Sequence, residues 1–273
     1  MTLPAVHVPA VPLADAGVPD LTAVLPEVLD PIRRLLFATV SGAHLYGFAS
    51  QDSDVDLRGV HLLPLHEVTG LREGEWTRSR MWDRDGLEMD LVTHDLLKFA
   101  RLMLRRNGYV LEQLLSPLVV RTGDVHAELA ALAPGVVTRD HAHHYRGFAR
   151  TQWRLYQRNG ELKPLLYTFR VLLTGIHLMR SGELQAHLPT LLELVGAPGY
   201  VPELVARKAE AEHGTVGTAA GDPERVLADV TALHAALEEA QAASALPLRP
   251  TADDALHDLV VRTRAATGAA SAP

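Results

Sequence analysis

At 273 residues, 47% of them hydrophobic and 22% charged, the chain has material for one large domain or two small ones around an ordinary core. It contains no cysteine, which excludes disulfides and thiolate metal sites and fits a reducing compartment. The net charge of -7 excludes capture of a polyanion by bulk electrostatics, so a nucleic acid must be gripped locally; a small triphosphate suits this balance equally well. No run approaches the roughly 20 apolar residues of a membrane span. The N-terminus lacks the basic-then-apolar order of a signal peptide, and a cytoplasmic location is expected.

Residues 1–20, rich in Pro, Val and Ala, read as a loose arm. Asp20 can cap a helix through Leu21–Leu35, broken at Pro31. Leu36–Val40 is β-prone and ends at the turn signal Ser41-Gly42, followed by a Gly- and Ser-containing stretch to Ser53. Val55–Leu63 alternates as a second strand, closed by Pro64. After a polar, turn-rich segment, a strand is expected at Trp76–Trp82, a tight hairpin at Asp85-Gly86 and a strand at Leu87–Thr93. From His94 the period becomes helical. Leu96, Leu97, Ala100, Met103 and Leu104 form one apolar face before Asn107-Gly108, and Val110–Leu115 is a further short helix. Beyond that, helices alone are expected, over 124–132, 139–159, 162–181, 188–195, 201–213, 222–243 and 252–265.

Asp54 and Asp56 stand two apart on a strand, so both point to one face about 7 Å apart along the chain. Two carboxylates on one face repel, and burying them unpaired is unfavourable. A divalent cation resolves this, and Mg²⁺ prefers carboxylate oxygens, water and substrate phosphate. Such ions can activate a hydroxyl and neutralise a leaving pyrophosphate. A third carboxylate on the neighbouring strand completes such a site: Asp90 is the candidate, with Glu88, on the same face, in reserve. A strand running into Gly42 and a helix-opening turn also presents backbone N–H groups suited to phosphate.

These residues resemble the nucleotidyltransferase superfamily that includes DNA polymerase beta, and within it stand-alone bacterial and phage nucleotidyltransferases, some linked to RNA repair. The matching runs are Gly42-Ala43-His44-Leu45-Tyr46-Gly47 and Ser53-Asp54-Val55-Asp56-Leu57-Arg58-Gly59. Leu97–Phe99, Asn107 and Leu111–Leu114 resemble the family's stretch beyond its third carboxylate, and Lys163, Tyr167 and Arg170 resemble a Lys-x3-His-x2-Arg run with Tyr replacing His. The resemblance covers about residues 35–185. It implies that Asp54, Asp56 and Asp90 hold two Mg²⁺ or Mn²⁺ ions, and that an NTP, expected to be ATP, is the substrate. It further implies triphosphate contacts from Gly42, Ala43, His44, Arg58, Lys163 and Arg170. One departure stands out: the family's turn serine is Ala43 here, and Ser41 lies two residues earlier.

The expected fold is α/β (α+β). A small mixed sheet forms a nucleotidyltransferase domain over residues 1–125, a helical bundle closes over the cleft at 126–265, and a disordered tail spans 266–273. The expected reaction moves an NMP from an NTP to a hydroxyl, an RNA end being one acceptor, with release of pyrophosphate. A nucleotide-binding module with little or no transfer, serving as a sensor or partner in repair or in a toxin–antitoxin system, is the alternative fed by Ala43. A metal-dependent phosphohydrolase is a third reading, disfavoured by the absence of a His-Asp doublet. Arg58 either anchors phosphate or pairs with Asp52 or Asp54. Asn107 and Glu112 suit a pocket, or a helix C-cap and an ion pair. Arg146, Arg150, Arg154 and Arg158 line one helical stripe beside Trp153 and Tyr156, suited either to a nucleic acid or to solvent. The trio His141, His143 and His144 lacks the partners of a zinc site.

Overall fold

The computed structural model describes residues 10–21, 34–50, 53–210 and 222–269, without the side chains of 210 and 267–269. Among the described residues the chain falls into two compact units. One takes in the chain through Gly42, Asp54–Val136 and the chain from Pro250 onward; the other takes in Ala43–Ser53 and Val137–Arg249.

The first unit is built on a five-stranded mixed sheet of β1 (Leu35–Val40), β2 (Val55–His61), β3 (Thr77–Arg84), β4 (Leu87–Asp95) and β5 (Val119–Arg121), in the order β3-β4-β2-β1-β5. β2 pairs antiparallel with β1 and parallel with β4, while β3 and β5 form the edges. Of the three inner strands, β1 and β2 are buried almost throughout, as strands covered on both faces must be. β4 alternates, burying Met89, Leu91 and Thr93 on one face. At the core Phe37 meets Phe99 edge-on at 5.6 Å and stacks on His126 at 4.3 Å. Asp85 and Gly86 both have positive φ, 55° and 84°, and make the tight β3–β4 hairpin.

The helices are α1 (Gly42–Tyr46), α2 (Leu65–Thr69), α3 (Leu96–Met103), α4 (Gly108–Leu114), α5 (Asp124–Leu132), α6 (His141–Asn159), α7 (Leu162–Ser181), α8 (Leu188–Val195), α9 (Val201–Glu210), α10 (Pro223–Ala243) and α11 (Asp253–Ala269). In the first unit α11 packs against α2, α3 and α5. Asp95 and Asn107 cap α3 and α4 by accepting from the amides of Leu97 and Val110; Asn107 thus starts a helix, where the sequence suggested it ends one. In the second unit α7 is central. It buries most of its length against α6, α8, α9 and α10, which is why its sequence is apolar nearly all round.

The fold is the α+β one expected, with a mixed sheet followed by helices. The helix-opening turn read at Gly42 starts the short α1, while α2 and β5 go beyond the sequence reading, because pieces of three to five residues carry too little periodicity. α11 continues to Ala269, four residues beyond the expected end. The helix expected from Asp20 lies mostly outside the described residues, as do Asp52 and positions 211–213, and Leu35 opens a strand. Among the described residues no helix is long and apolar enough to cross a membrane.

Candidate active site

The parallel pairing of β2 with β4 sets Asp56 directly opposite Asp90. Directly paired residues point to the same face of a sheet, so two carboxylates contributed by distant segments stand side by side. Arg58, two residues along β2 on that face, lies between them. Its Nη2 donates to Asp56 Oδ1 at 2.5 Å and Asp90 Oδ2 at 2.7 Å, and its Nη1 to the carbonyls of Leu57 (2.9 Å) and Asp90 (2.8 Å). Its Nε donates to the Tyr109 hydroxyl at 3.0 Å. All five donors of the guanidinium are thereby used. Burial works against the charge, yet Tyr109, Asp56 and Asp90 hold the Arg58 pKa above its ordinary value. Among the described residues the carboxylate partners of Arg58 are Asp56 and Asp90, where the sequence suggested Asp54; the alternative partner Asp52 lies outside the described residues.

Gly42 meets the same carboxylate from the other side. Its φ is +63°, and a Cβ built on it would stand 1.8 Å from Asp56 Oδ2. Only a residue without a side chain lets the backbone turn here. The amide of Ser41 donates to the Asp56 carbonyl at 2.8 Å, fixing the turn to β2. Gly59 ends the motif for a different reason, since a Cβ there would press on the Phe37 carbonyl at 2.3 Å.

Asp54 precedes β2 and is half-buried. The turn before it is tightly bonded within the second unit. The amide of Ser50 donates to Ser53 Oγ (2.9 Å), the two hydroxyls bond each other (2.9 Å), and the fully buried Lys208 donates to Ser50 Oγ at 3.1 Å. Nothing in the spacing of the sequence pointed to Lys208 or Tyr109, whose roles depend on long-range packing. Glu88 is exposed on the Asp90 face. Ser41, Ala43 and His44 are buried. Lys163 and Tyr167 are half-buried and Arg170 is buried. In the second unit Tyr167 meets Tyr46 at 5.5 Å and Phe48 at 5.4 Å, and the Arg170 guanidinium lies 3.7 Å over the Tyr46 ring. Tyr167 and Arg170 of α7 thus pack on the Tyr46–Phe48 segment. Glu112 is buried as well. His141 is a core residue bonded to Thr138.

The donor chemistry, carboxylate oxygens on adjacent strands, fits a hard divalent cation, which would share those carboxylates with the Arg58 guanidinium. No group of three or more His, Asp or Glu at metal-holding distance is found among the described residues. The structure thus brings together Asp56 and Asp90, and not the full trio with Asp54.

A mixed sheet presenting paired aspartates beside a glycine turn is the arrangement of a polymerase-beta-like nucleotidyltransferase domain. Residues 23–262 match the RNA repair pathway DNA polymerase beta family, and the chain belongs to that family. It is also similar to the uncharacterized protein MJ0002 of Methanocaldococcus jannaschii, at 29% identity over 157 residues, covering 55% of this chain and 63% of that protein. A second relative is the uncharacterized protein YcgL of Bacillus subtilis, at 28% identity over 194 residues, 66% of this chain and 71% of that protein. The chain thus spans 63% of the archaeal relative's length.

Proposed function

We propose that this protein is a metal-dependent nucleotidyltransferase that moves an NMP from an NTP, ATP being the expected donor, to a hydroxyl acceptor such as an RNA end. The observation that carries this reading is the register of Asp56 against Asp90, which sets two carboxylates side by side on adjacent strands. Asp54, Asp56 and Asp90 would hold Mg²⁺ or Mn²⁺, two ions in all. Bound there, such ions would lower the pKa of the acceptor hydroxyl and neutralise the leaving pyrophosphate. Asp90 orients that hydroxyl and receives its proton as the oxygen attacks the α-phosphorus. The bond from the α-phosphorus to the bridging oxygen breaks, and pyrophosphate leaves with the electron pair. Gly42 pins the Asp56 carboxylate from behind. Arg58 is anchored by Tyr109 and two backbone carbonyls, which keeps Asp56 and Asp90 from moving apart.

The test is incubation with labelled NTPs and Mg²⁺ or Mn²⁺, with RNA, protein and no acceptor in parallel. Label should move to one acceptor and pyrophosphate should appear, and an Asp54→Asn/Asp56→Asn variant should do neither. Equal transfer by that variant would sink the reading. Ala43, buried where the resembling sequences carry serine, supports a second reading: a nucleotide-binding module with little turnover. NTP binding without pyrophosphate release across every acceptor would favour it.

A further inference from the structure

The α6 helix runs for 19 residues and contains four arginines, three histidines and no acidic residue. In a chain with 33 acidic against 26 basic residues, that is a local reversal of charge. The structure sorts these residues. Arg146 is tied down by Gln241 at 2.5 Å and Glu238 at 3.6 Å. Arg150, Arg154 and Arg158 are exposed, and among the described residues none of the three has a carboxylate at ion-pair distance. They succeed one another at four-residue steps of about 6 Å along the axis, a spacing close to that of successive phosphates on a nucleic-acid strand. Thr151 and Gln157, exposed beside them, add neutral hydrogen-bonding groups.

An aromatic pair borders the stripe. Trp153 and Tyr156 are half-buried, their rings 5.2 Å apart and tilted by 38°. A half-buried indole keeps part of its ring accessible, and unpaired bases stack on such rings whatever their sequence. A duplex hides its base faces and leaves the rings unused.

We infer that this face of α6 is a docking surface for single-stranded RNA, with Arg150, Arg154 and Arg158 on successive phosphates and Trp153 under a base. RNA is the strand assigned because the chain belongs to an RNA repair family. The assignment rests on the transfer reading only in making the docked strand the acceptor; the docking itself needs neither metal nor NTP.

The experiment is fluorescence anisotropy of a labelled short oligouridylate with the full chain, without Mg²⁺ or NTP, across a salt series. Replacing all three arginines by Ser should weaken binding by about tenfold or more, and should lower the slope of log affinity against log salt by roughly 2, since each phosphate contact on a single strand contributes about 0.7. Trp153→Phe should remove the tryptophan quenching that accompanies binding, while Trp76 and Trp82 remain. The Asp54→Asn/Asp56→Asn variant should bind RNA like the parent, which separates this surface from the transfer reading. An unchanged salt slope in the triple variant overturns the proposal. So does displacement of the RNA by polyglutamate at matched charge, which would make the face a site for acidic protein, and so does tighter binding of duplex or DNA strands than of the oligouridylate.

Discussion

Gly42 and Asp56 stand so close that the backbone of one occupies the space beside the carboxylate of the other, with 1.8 Å left between Oδ2 and the place of a Cβ. Gly42→Ala must therefore push Asp56 aside, and it must also hold an L-residue at φ +63°, which costs about 1–2 kcal/mol. A misplacement of about 1 Å at a reacting centre lowers rates by roughly 10²-fold. The expected outcome is a loss of transfer of that order with a modest fall in melting temperature. An active Gly42→Ala variant would show that Asp56 has no fixed position to defend.

Arg58 is the second point of leverage. Arg58→Met leaves Asp56 and Asp90 facing each other without the guanidinium, and losing the partner of such partly buried carboxylates costs about 1–3 kcal/mol. Millimolar Mg²⁺ should restore part of that stability. In thermal melts, Mg²⁺ should raise the midpoint of Arg58→Met more than that of the parent. Equal shifts in both would show that the metal does not reach the carboxylates Arg58 holds.

Asp95 is paired with a residue near the far end of the chain. Asp95 is fully buried; its Oδ1 accepts from Arg264 Nη2 at 2.5 Å and from the Leu97 amide, and its Oδ2 from the Leu63 amide. Arg264→Met should lower unfolding stability by about 3 kcal/mol, read from urea denaturation. Adding Asp95→Ser, which still caps α3 but carries no charge, should recover part of the loss. A double variant as unstable as the sum of both changes would refute the pairing.

Two histidines in the sheet, His61 on β2 and His94 on β4, set a pH response. Burial, then the charge of Arg78, pushes His61 down to about 4; burial, then Lys98 and Arg58, does the same to His94. Unfolded histidine titrates near 6.5, so below that pH the unfolded chain binds more protons than the folded one and stability rises with pH. This contribution is fully present above about pH 6.5 and is lost as pH falls toward about 4. The urea midpoint should be lower at about pH 5 than at about pH 7.5, and His61→Gln should flatten the difference. A midpoint indifferent to pH in the parent would contradict it.

Asp54, Asp56 and Asp90 are singled out in the sequence by local alternation together with the motif's resemblance to a family; the structure sets Asp56 beside Asp90, whereas Asp54 precedes β2 and lies off the strand on which the sequence placed it. The partner of Asp56 is a different matter. Nothing local says that β2 pairs with β4 and not with β3, and that choice brings Asp90 to Asp56. Arg58 was assigned neighbours in its own loop for the same reason. The chemistry of Gly42 was legible only as a turn, since the carboxylate that excludes its side chain arrives from 14 positions on. Arg264 and Lys208 sit on helices whose sequence reads as ordinary amphipathic surface, and their burial comes from packing alone.

Because Arg264 reaches back to Asp95, 169 residues earlier, the sheet unit cannot mature in the order in which it is made. At a translation rate of about 5–20 residues per second, Asp95 leaves the ribosome roughly 10–30 s before its guanidinium does. During that interval α2 and α3 lack the helix that covers them, while the whole second unit is being synthesised. The nascent sheet therefore waits in an unfinished state until α11 is made, and a ribosome stalled after the second unit would hold a sheet whose buried Asp95 still lacks its guanidinium.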